Sequence, residues 1–159
     1  MTADARFEDG GERPLRLKAE TPEDLGVIAA LVQDAVLTGA DMKWEPKRRR
    51  LSFLVNRFRW EDRTAAEPRK RPYERVRSVL VIDSVLQVAS QGIDRNDGEE
   101  VLSVLDLVWM GGEDVSGRVE LVLAGDGAIR AVAECLDVML ADVTRPYAAP
   151  SGRAPGHPD

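Results

Sequence analysis

Arg50-Leu51-Ser52-Phe53-Leu54-Val55-Asn56-Arg57-Phe58-Arg59-Trp60-Glu61 carries two of the chain's three Phe and one of its three Trp. Leu51, Phe53 and Val55 alternate with Ser52, Leu54 and Asn56, the period of a strand with one face in a core. Phe58 and Trp60 sit on the other parity. A one-residue bulge near Asn56-Arg57 would return both rings to the core side, so the stretch reads as one long, bent strand. Its apolar face needs a partner sheet or helix.

Upstream, Leu15, Leu17 and Ala19 alternate with Arg16 and Lys18 as a short first strand. Thr21-Pro22-Glu23-Asp24 is a helix start: a hydroxyl to cap, a proline for the first helical position and two carboxylates at the positive end of the dipole. Leu25, Ile28, Ala29 and Val32 follow at helical spacing, which places a helix from about Pro22 to Leu31. Ala35-Val36-Leu37 and Met42-Lys43-Trp44-Glu45 flank Thr38-Gly39-Ala40-Asp41, read as a hairpin turn.

Downstream, residues 62–74 form a long loop holding Pro68 and Pro72. Val76 to Ile82 and Val85 to Ala89 are strands separated by Asp83-Ser84, a tight turn or a kink. Gly92 to Gly98 is a turn cluster. Val101 to Met110 is almost continuously apolar and reads as a central strand covered on both faces. Gly125-Asp126-Gly127 closes a hairpin between Arg118–Leu123 and Ala128–Val132. Leu136, Met139, Leu140 and Val143 fall at helical spacing, so a closing helix is expected over roughly Cys135–Val143.

These elements describe a mainly β fold (α+β) over residues 14–144, a single antiparallel barrel or a two-sheet sandwich with one short helix in the N-terminal half and a C-terminal helix. The order resembles the pleckstrin-homology-like barrel, in which a terminal helix plugs one end. Residues 1–13 read as a disordered acidic leader, and 145–159, with four Pro and two Gly, as a disordered tail.

At 159 residues the chain is long enough for a sizeable core. No apolar run reaches the roughly 18 residues of a membrane span, and the acidic N-terminus lacks a signal peptide's apolar segment. Cys135 is the only cysteine, which fits a cytoplasmic setting. His157, the only histidine, lies in the tail, which removes histidine-based triads and zinc sites from the folded body. No cofactor fingerprint is present: Gly10-Gly11, Gly111-Gly112 and Gly125-Asp126-Gly127 lack phosphate-cradling spacing. Asp94, Asp97, Glu99 and Glu100 do not match a calcium loop and read as a solvated turn. Asp34 and Asp41 are expected partners for Arg57 or Arg59.

The net charge of -6 is unevenly distributed: Lys43 to Arg77 holds thirteen Lys/Arg against five Asp/Glu, leaving nine against twenty-three elsewhere. Arg48, Arg49, Arg50, Arg57, Arg59, Lys70 and Arg71, with Trp44, Trp60 and Tyr73 interspersed, are the candidate anion- or partner-binding residues. Positive charge among aromatics on a sheet suits single-stranded nucleic acid. A plainer reading lets the arginines meet the chain's own carboxylates. The pI near 4.9 favours it over a dedicated nucleic-acid binder.

Glu23-Asp24-Leu25, Leu31-Val32-Gln33-Asp34-Ala35-Val36, Asn56-Arg57-Phe58-Arg59-Trp60-Glu61, Gly92-Ile93-Asp94 and Glu134-Cys135-Leu136 together resemble a family of small proteobacterial proteins classed as a domain of unknown function. The resemblance covers Leu15 to Asp142 and implies a bacterial, cytoplasmic setting, with no activity, cofactor or catalytic residue to carry over. The sequence therefore points to a non-enzymatic binding or adaptor domain whose partner is a protein, a second copy included, met across a strand edge or on the 51–60 sheet face. The alternative is an anionic-ligand or nucleic-acid binder using segment 47–77. An enzyme working with Asp, Glu and Arg alone ranks last.

Overall fold

Strand pairing rather than helix packing dominates the chain. The computed structural model describes residues 14–62, 74–94 and 96–148. The expected leader, nearly all of the 62–74 loop and the end of the tail lie outside the described residues. In chain order the elements are β1 (Arg16–Ala19), α1 (Pro22–Val32), β2 (Val36–Thr38), β3 (Met42–Glu45), β4 (Arg50–Phe58), β5 (Glu74–Ile82), β6 (Val85–Gln91), β7 (Val101–Gly111), β8 (Gly117–Leu123), β9 (Gly127–Ala133), β10 (Val138–Asp142) and β11 (Tyr147–Ala148). Short 3-10 turns occupy Gly39–Asp41, Pro46–Arg48 and Trp60–Asp62.

The strands form one antiparallel sheet in the order β1-β10-β5-β4-β2-β7-β8-β9-β6, with β3 attached to β4 and β11 to β5. Its two ends, β1 and β6, do not pair with each other, so the sheet is open. The fold is mainly β, as the alternation in the sequence dictates.

The core follows from register. Leu51, Ile82 and Val138 stand side by side across β4, β5 and β10, and Phe53, Leu80 and Leu140 form the next row. Leu107, Leu121 and Ile129 do the same across β7, β8 and β9. All nine belong to one buried cluster. Each such side chain contributes roughly 1.5–3 kcal/mol by leaving water. Helix α1 adds Leu25, Ile28 and Val32 to that cluster and packs on β7, β1 and β4. Its start is as the sequence prescribes: the Thr21 hydroxyl accepts the Asp24 N–H at 3.2 Å and Pro22 fills the first turn.

The chain passes between the two halves of the sheet at one corner. Asp83-Ser84 is a kink, not a hairpin: Ser84 has φ 61° and sends β6 away from β5 to pair with β9. Residues 134–137 return from β9 to β10. The corner is tied by Asp83 N–H to Asp137 C=O (2.9 Å), Glu134 N–H to Ser84 C=O (2.9 Å) and Val85 N–H to Arg49 C=O (2.8 Å).

Several expectations are corrected. The closing helix over Cys135–Val143 is instead strand β10, because Val138, Leu140 and Ala141 are drawn between β1 and β5 and buried there. The pleckstrin-homology resemblance loses the terminal helix on which it rests. No bulge interrupts β4: its register with β5 runs unbroken from Leu51↔Ile82 to Phe58↔Arg75, so Arg57 takes the inward parity and Phe58 is buried on the opposite face. β2 and β3 do not make a hairpin with each other. Both lie along β4, at Val36↔Asn56 and Met42↔Phe53, with the 39–41 turn bulging between them. β7 is covered on one face only, leaving Leu105 and Met110 exposed. Tyr147–Ala148, inside the expected tail, add a short strand to β5.

Candidate functional site

The candidate arginines fall into two groups at opposite ends of β4, with Lys70 and Arg71 outside the described residues. At the first end, the turn Pro46–Arg48 leaves Arg49 in a left-handed conformation (φ 52°, ψ 41°) beside the corner. Arg48 lies 3.6 Å from Glu45, Arg49 pairs with Glu134, and Arg50 pairs with Asp83 at 2.8 Å. The hydrogen bond and charge of Asp83 raise the Arg50 pKa above its ordinary value. Each of the three therefore meets a carboxylate of its own chain. All three remain substantially exposed, where such pairs are worth about 0–1 kcal/mol.

At the other end, Arg57 is fully buried. Its five N–H donors are all engaged. Nε bonds to Ser78 Oγ (2.9 Å), Nη1 to Glu61 Oε1 (3.0 Å) and, at 3.4 Å, to the Phe58 carbonyl. Nη2 bonds to Glu61 Oε2 (2.8 Å) and Asp142 Oδ1 (2.9 Å). The Ser78 hydroxyl donates to the same Asp142 oxygen at 2.7 Å, and the Leu15 N–H donates to the other at 2.9 Å. Burial alone would lower the Arg57 pKa; the bonds and charges of Glu61 and Asp142 outweigh it and leave the value raised. Arg59, also buried, pairs with Glu74 and stands 4.0 Å from Glu61. Trp60 stacks edge-on against Phe58 at 4.7 Å and donates its ring N–H to the Gln33 carbonyl at 3.0 Å. This end of β4 is an ionic clasp joining β4, β5 and β10 where the apolar rows stop.

Asp41, an expected partner of these arginines, instead accepts from Thr38 N–H (2.8 Å) and Thr38 Oγ (3.0 Å) within the bulged turn. Because β2 meets β4 at a single residue pair, a cleft of about 270 Å³ opens beside it, lined by Val36, Thr38, Asp41, Leu54, Asn56 and Arg77 among others. The acidic turn is internally occupied: Asp94 accepts from Asn96, Asp97 from Glu99, and Glu100 from Asp94. Cys135 is partly buried beside the corner.

One end of the sheet is formed by a strand without charge. β6 ends the sheet and, among the described residues, pairs only with β9. Its seven residues, Val85-Leu86-Gln87-Val88-Ala89-Ser90-Gln91, include no charge and no proline. By contrast β1 carries Arg16 and Lys18, and the edge strand β3 carries Lys43 and Glu45. Leu86, Gln87, Ala89 and Gln91 are exposed, and Val132 and Met110 continue the outer face as exposed apolar positions on β9 and β7. Sequence reasoning locates this strand but not its place at the margin of the sheet. The one available signal is its lack of charge in a chain that is 31% charged.

Fold and site together define a mainly β domain with an open antiparallel sheet, whose central arginines are held by its own carboxylates. The chain belongs to the family described as "Protein of unknown function (DUF2948)", whose model matches residues 15–157. No curated protein and no solved structure matches it.

Proposed function

We propose that this is a non-enzymatic binding or adaptor domain of a bacterial cytoplasm, and that its partner is a protein held along the uncharged strand β6. The observation that carries the reading is the chemistry of that edge. Natural sheets blunt exposed margins with lysine, proline or inward charges, because an open row of N–H and C=O groups templates another strand. β1 and β3 follow the rule and β6 does not. An added strand gains main-chain hydrogen bonds, and alternate side chains set its specificity. The arginines support the same reading by a different route, since Arg48, Arg49, Arg50, Arg57 and Arg59 each have an internal carboxylate near them.

The test is affinity purification of the tagged chain from its own host, beside an Ala89→Lys variant that sets a charge on the exposed edge. Mass spectrometry should identify a protein recovered with the wild type and depleted from the variant. Equal recovery of the same proteins by both would remove β6 as the binding edge.

A further inference from the structure

Two arginines on β5 differ from those at the ends of β4. Arg48, Arg49, Arg50, Arg57 and Arg59 each meet a carboxylate, whereas among the described residues Arg75 and Arg77 meet none. They stand two residues apart on one face of the strand, a local positive pole in a chain of net charge -6.

Register carries that pole to the cleft between β2 and β4. Val36, Asn56 and Arg77 form one row across β2, β4 and β5, and Thr38 and Leu54, two residues along, share their face. The Arg77 side chain is exposed on a fixed backbone: its N–H donates to Thr144 Oγ1 at 3.0 Å and its C=O accepts from Val143 at 2.8 Å. Arg75 donates to Asn56 Oδ1 at 3.2 Å, which orients the amide. Asn56 Nδ2 then donates to the Tyr147 hydroxyl at 2.5 Å and has one N–H left over. A guanidinium fork beside an amide N–H is a donor set for a carboxylate.

The other end of the cleft has the opposite sign. The Thr38 N–H and hydroxyl both donate to Asp41 Oδ2, and Oδ1 takes no bond among the described residues. Behind it, the turn carrying Asp97, Glu99 and Glu100 is tied to the 39–41 turn. Gly39 N–H donates to the Glu100 C=O (3.3 Å) and Ala40 N–H to the Gly98 C=O (3.0 Å). Between the two poles the cleft is walled by Val36 and Leu54, with Val101, 70% exposed, beside Thr38. We infer that this cleft binds a small zwitterion, an organic acid with an amino group at its far end. Arg77 and Asn56 hold the carboxylate, Asp41 holds the ammonium, and the methylenes lie along Val36 and Leu54. The volume of about 270 Å³ falls just below the ~300–1,000 Å³ of drug-sized sites, which keeps the ligand small. Asp41 repels a second carboxylate, so dicarboxylic acids are selected against. The site goes beyond the β6 reading and does not depend on it, since β2 lies four places from β6 in the sheet.

The experiment titrates the full-length, isotope-labelled chain and follows its amide chemical shifts. The probe is ε-aminocaproate, which should give saturable shifts at Val36, Thr38, Asn56 and Arg77. Caproate, without the amine, should bind about threefold more weakly, and adipate, with a second carboxylate, about tenfold or more. Arg77→Gln should weaken ε-aminocaproate by about tenfold. Its thermal unfolding should match the wild type, because the side chain it changes is exposed and unpaired. Asp41→Asn should bring ε-aminocaproate and caproate to within about twofold of each other.

If ε-aminocaproate gives no saturable shift at millimolar concentrations, or shifts only signals away from the cleft, the site is overturned. Equal binding of the three probes overturns the two-ended recognition, as does ε-aminocaproate binding that Arg77→Gln leaves intact. Should Asp41→Asn fail to fold, the three probes on the wild type decide the question without it.

Discussion

The two ends of β4 use the same side chain for opposite purposes. At the corner, Arg48, Arg49 and Arg50 sit on or beside a turn with their guanidinium groups in solvent, each next to one carboxylate. Seven residues on, about 23 Å along an extended strand, Arg57 is fully enclosed, with Glu61, Asp142, Ser78 and a backbone carbonyl taking all its donors. In sequence the two groups read as one basic segment. In the fold they share no surface: one decorates a corner and the other replaces a core residue at the end of the apolar rows. Local charge density says little until the carboxylates from the rest of the chain are in place.

The largest effect should come from breaking the clasp. Arg57→Met keeps most of the side-chain volume but leaves Asp142, almost fully buried, without its cation. Removing one partner of a buried pair costs about 3–5 kcal/mol. Urea unfolding at neutral pH should show a loss of that order, and a loss below about 1 kcal/mol would erase the distinction between the two ends. The pH dependence has a definite sign. A cation whose folded pKa is raised contributes fully below its unfolded value and loses that contribution as pH rises through the folded one. Arg57 starts from an already high ordinary value and is pushed higher, so its contribution should be undiminished across the neutral and mildly alkaline range.

A double-mutant cycle sharpens the point. Asp142→Leu alone leaves the buried Arg57 with Glu61 as its one remaining carboxylate, whereas Arg57→Met with Asp142→Leu removes both the buried cation and its buried partner. The double variant should therefore be more stable than the two single losses predict, with a coupling of about 0.5–3 kcal/mol. Additive losses, measured by the same denaturant titrations, would mean that the arginine and aspartate act independently. Glu61 still faces the site and Leu15 still offers its N–H, so full recovery is not expected.

How much of this is legible in the sequence depends on how far apart the deciding residues are. The cap at Thr21-Pro22 and the Gly125-Asp126-Gly127 turn are readable because their chemistry is local, and the structure has α1 and the β8–β9 hairpin there. The inward parity of Leu51, Phe53 and Val55 is also plain, and Arg57 continues it. Read locally, Phe58 and Trp60 fall on the other parity, and a bulge is the way to bring both rings to the core side. What makes the buried arginine tenable is Glu61, four residues on, together with Asp142, 85 residues away, and Ser78 from the neighbouring strand. Residues 138–142 mislead for the same kind of reason. Leu136, Met139, Leu140 and Val143 satisfy a helical period, while Val138 and Leu140 satisfy a strand period, and only the slot between β1 and β5 chooses. The β6 edge is hidden because order within a sheet is not written in any one strand.

At the corner the expected effects are small. Arg50→Ala removes an exposed pair with Asp83 and should cost no more than about 1 kcal/mol. Thermal unfolding of the Arg48→Glu, Arg49→Glu double variant should show a loss of about 1–2 kcal/mol, because two exposed pairs are lost and the new carboxylates face Glu45 and Glu134 in solvent. A loss approaching that of Arg57→Met would show that the fold depends on the corner as heavily as on the clasp.

The smallest effect separates backbone from charge at a single residue. Arg49 holds a left-handed conformation, φ 52° and ψ 41°, which costs an ordinary L-residue roughly 1–2 kcal/mol and glycine almost nothing. Arg49→Gly relieves that cost, loses the exposed pair with Glu134, and loosens the unfolded chain by about 0.5–1 kcal/mol. These terms nearly cancel. Arg49→Ala loses the same pair and keeps the strain. The glycine variant should thus be at least as stable as the alanine variant in parallel melts. If alanine proves the more stable, backbone strain does not govern this position. The contrast with Arg57 would then have to rest on burial alone.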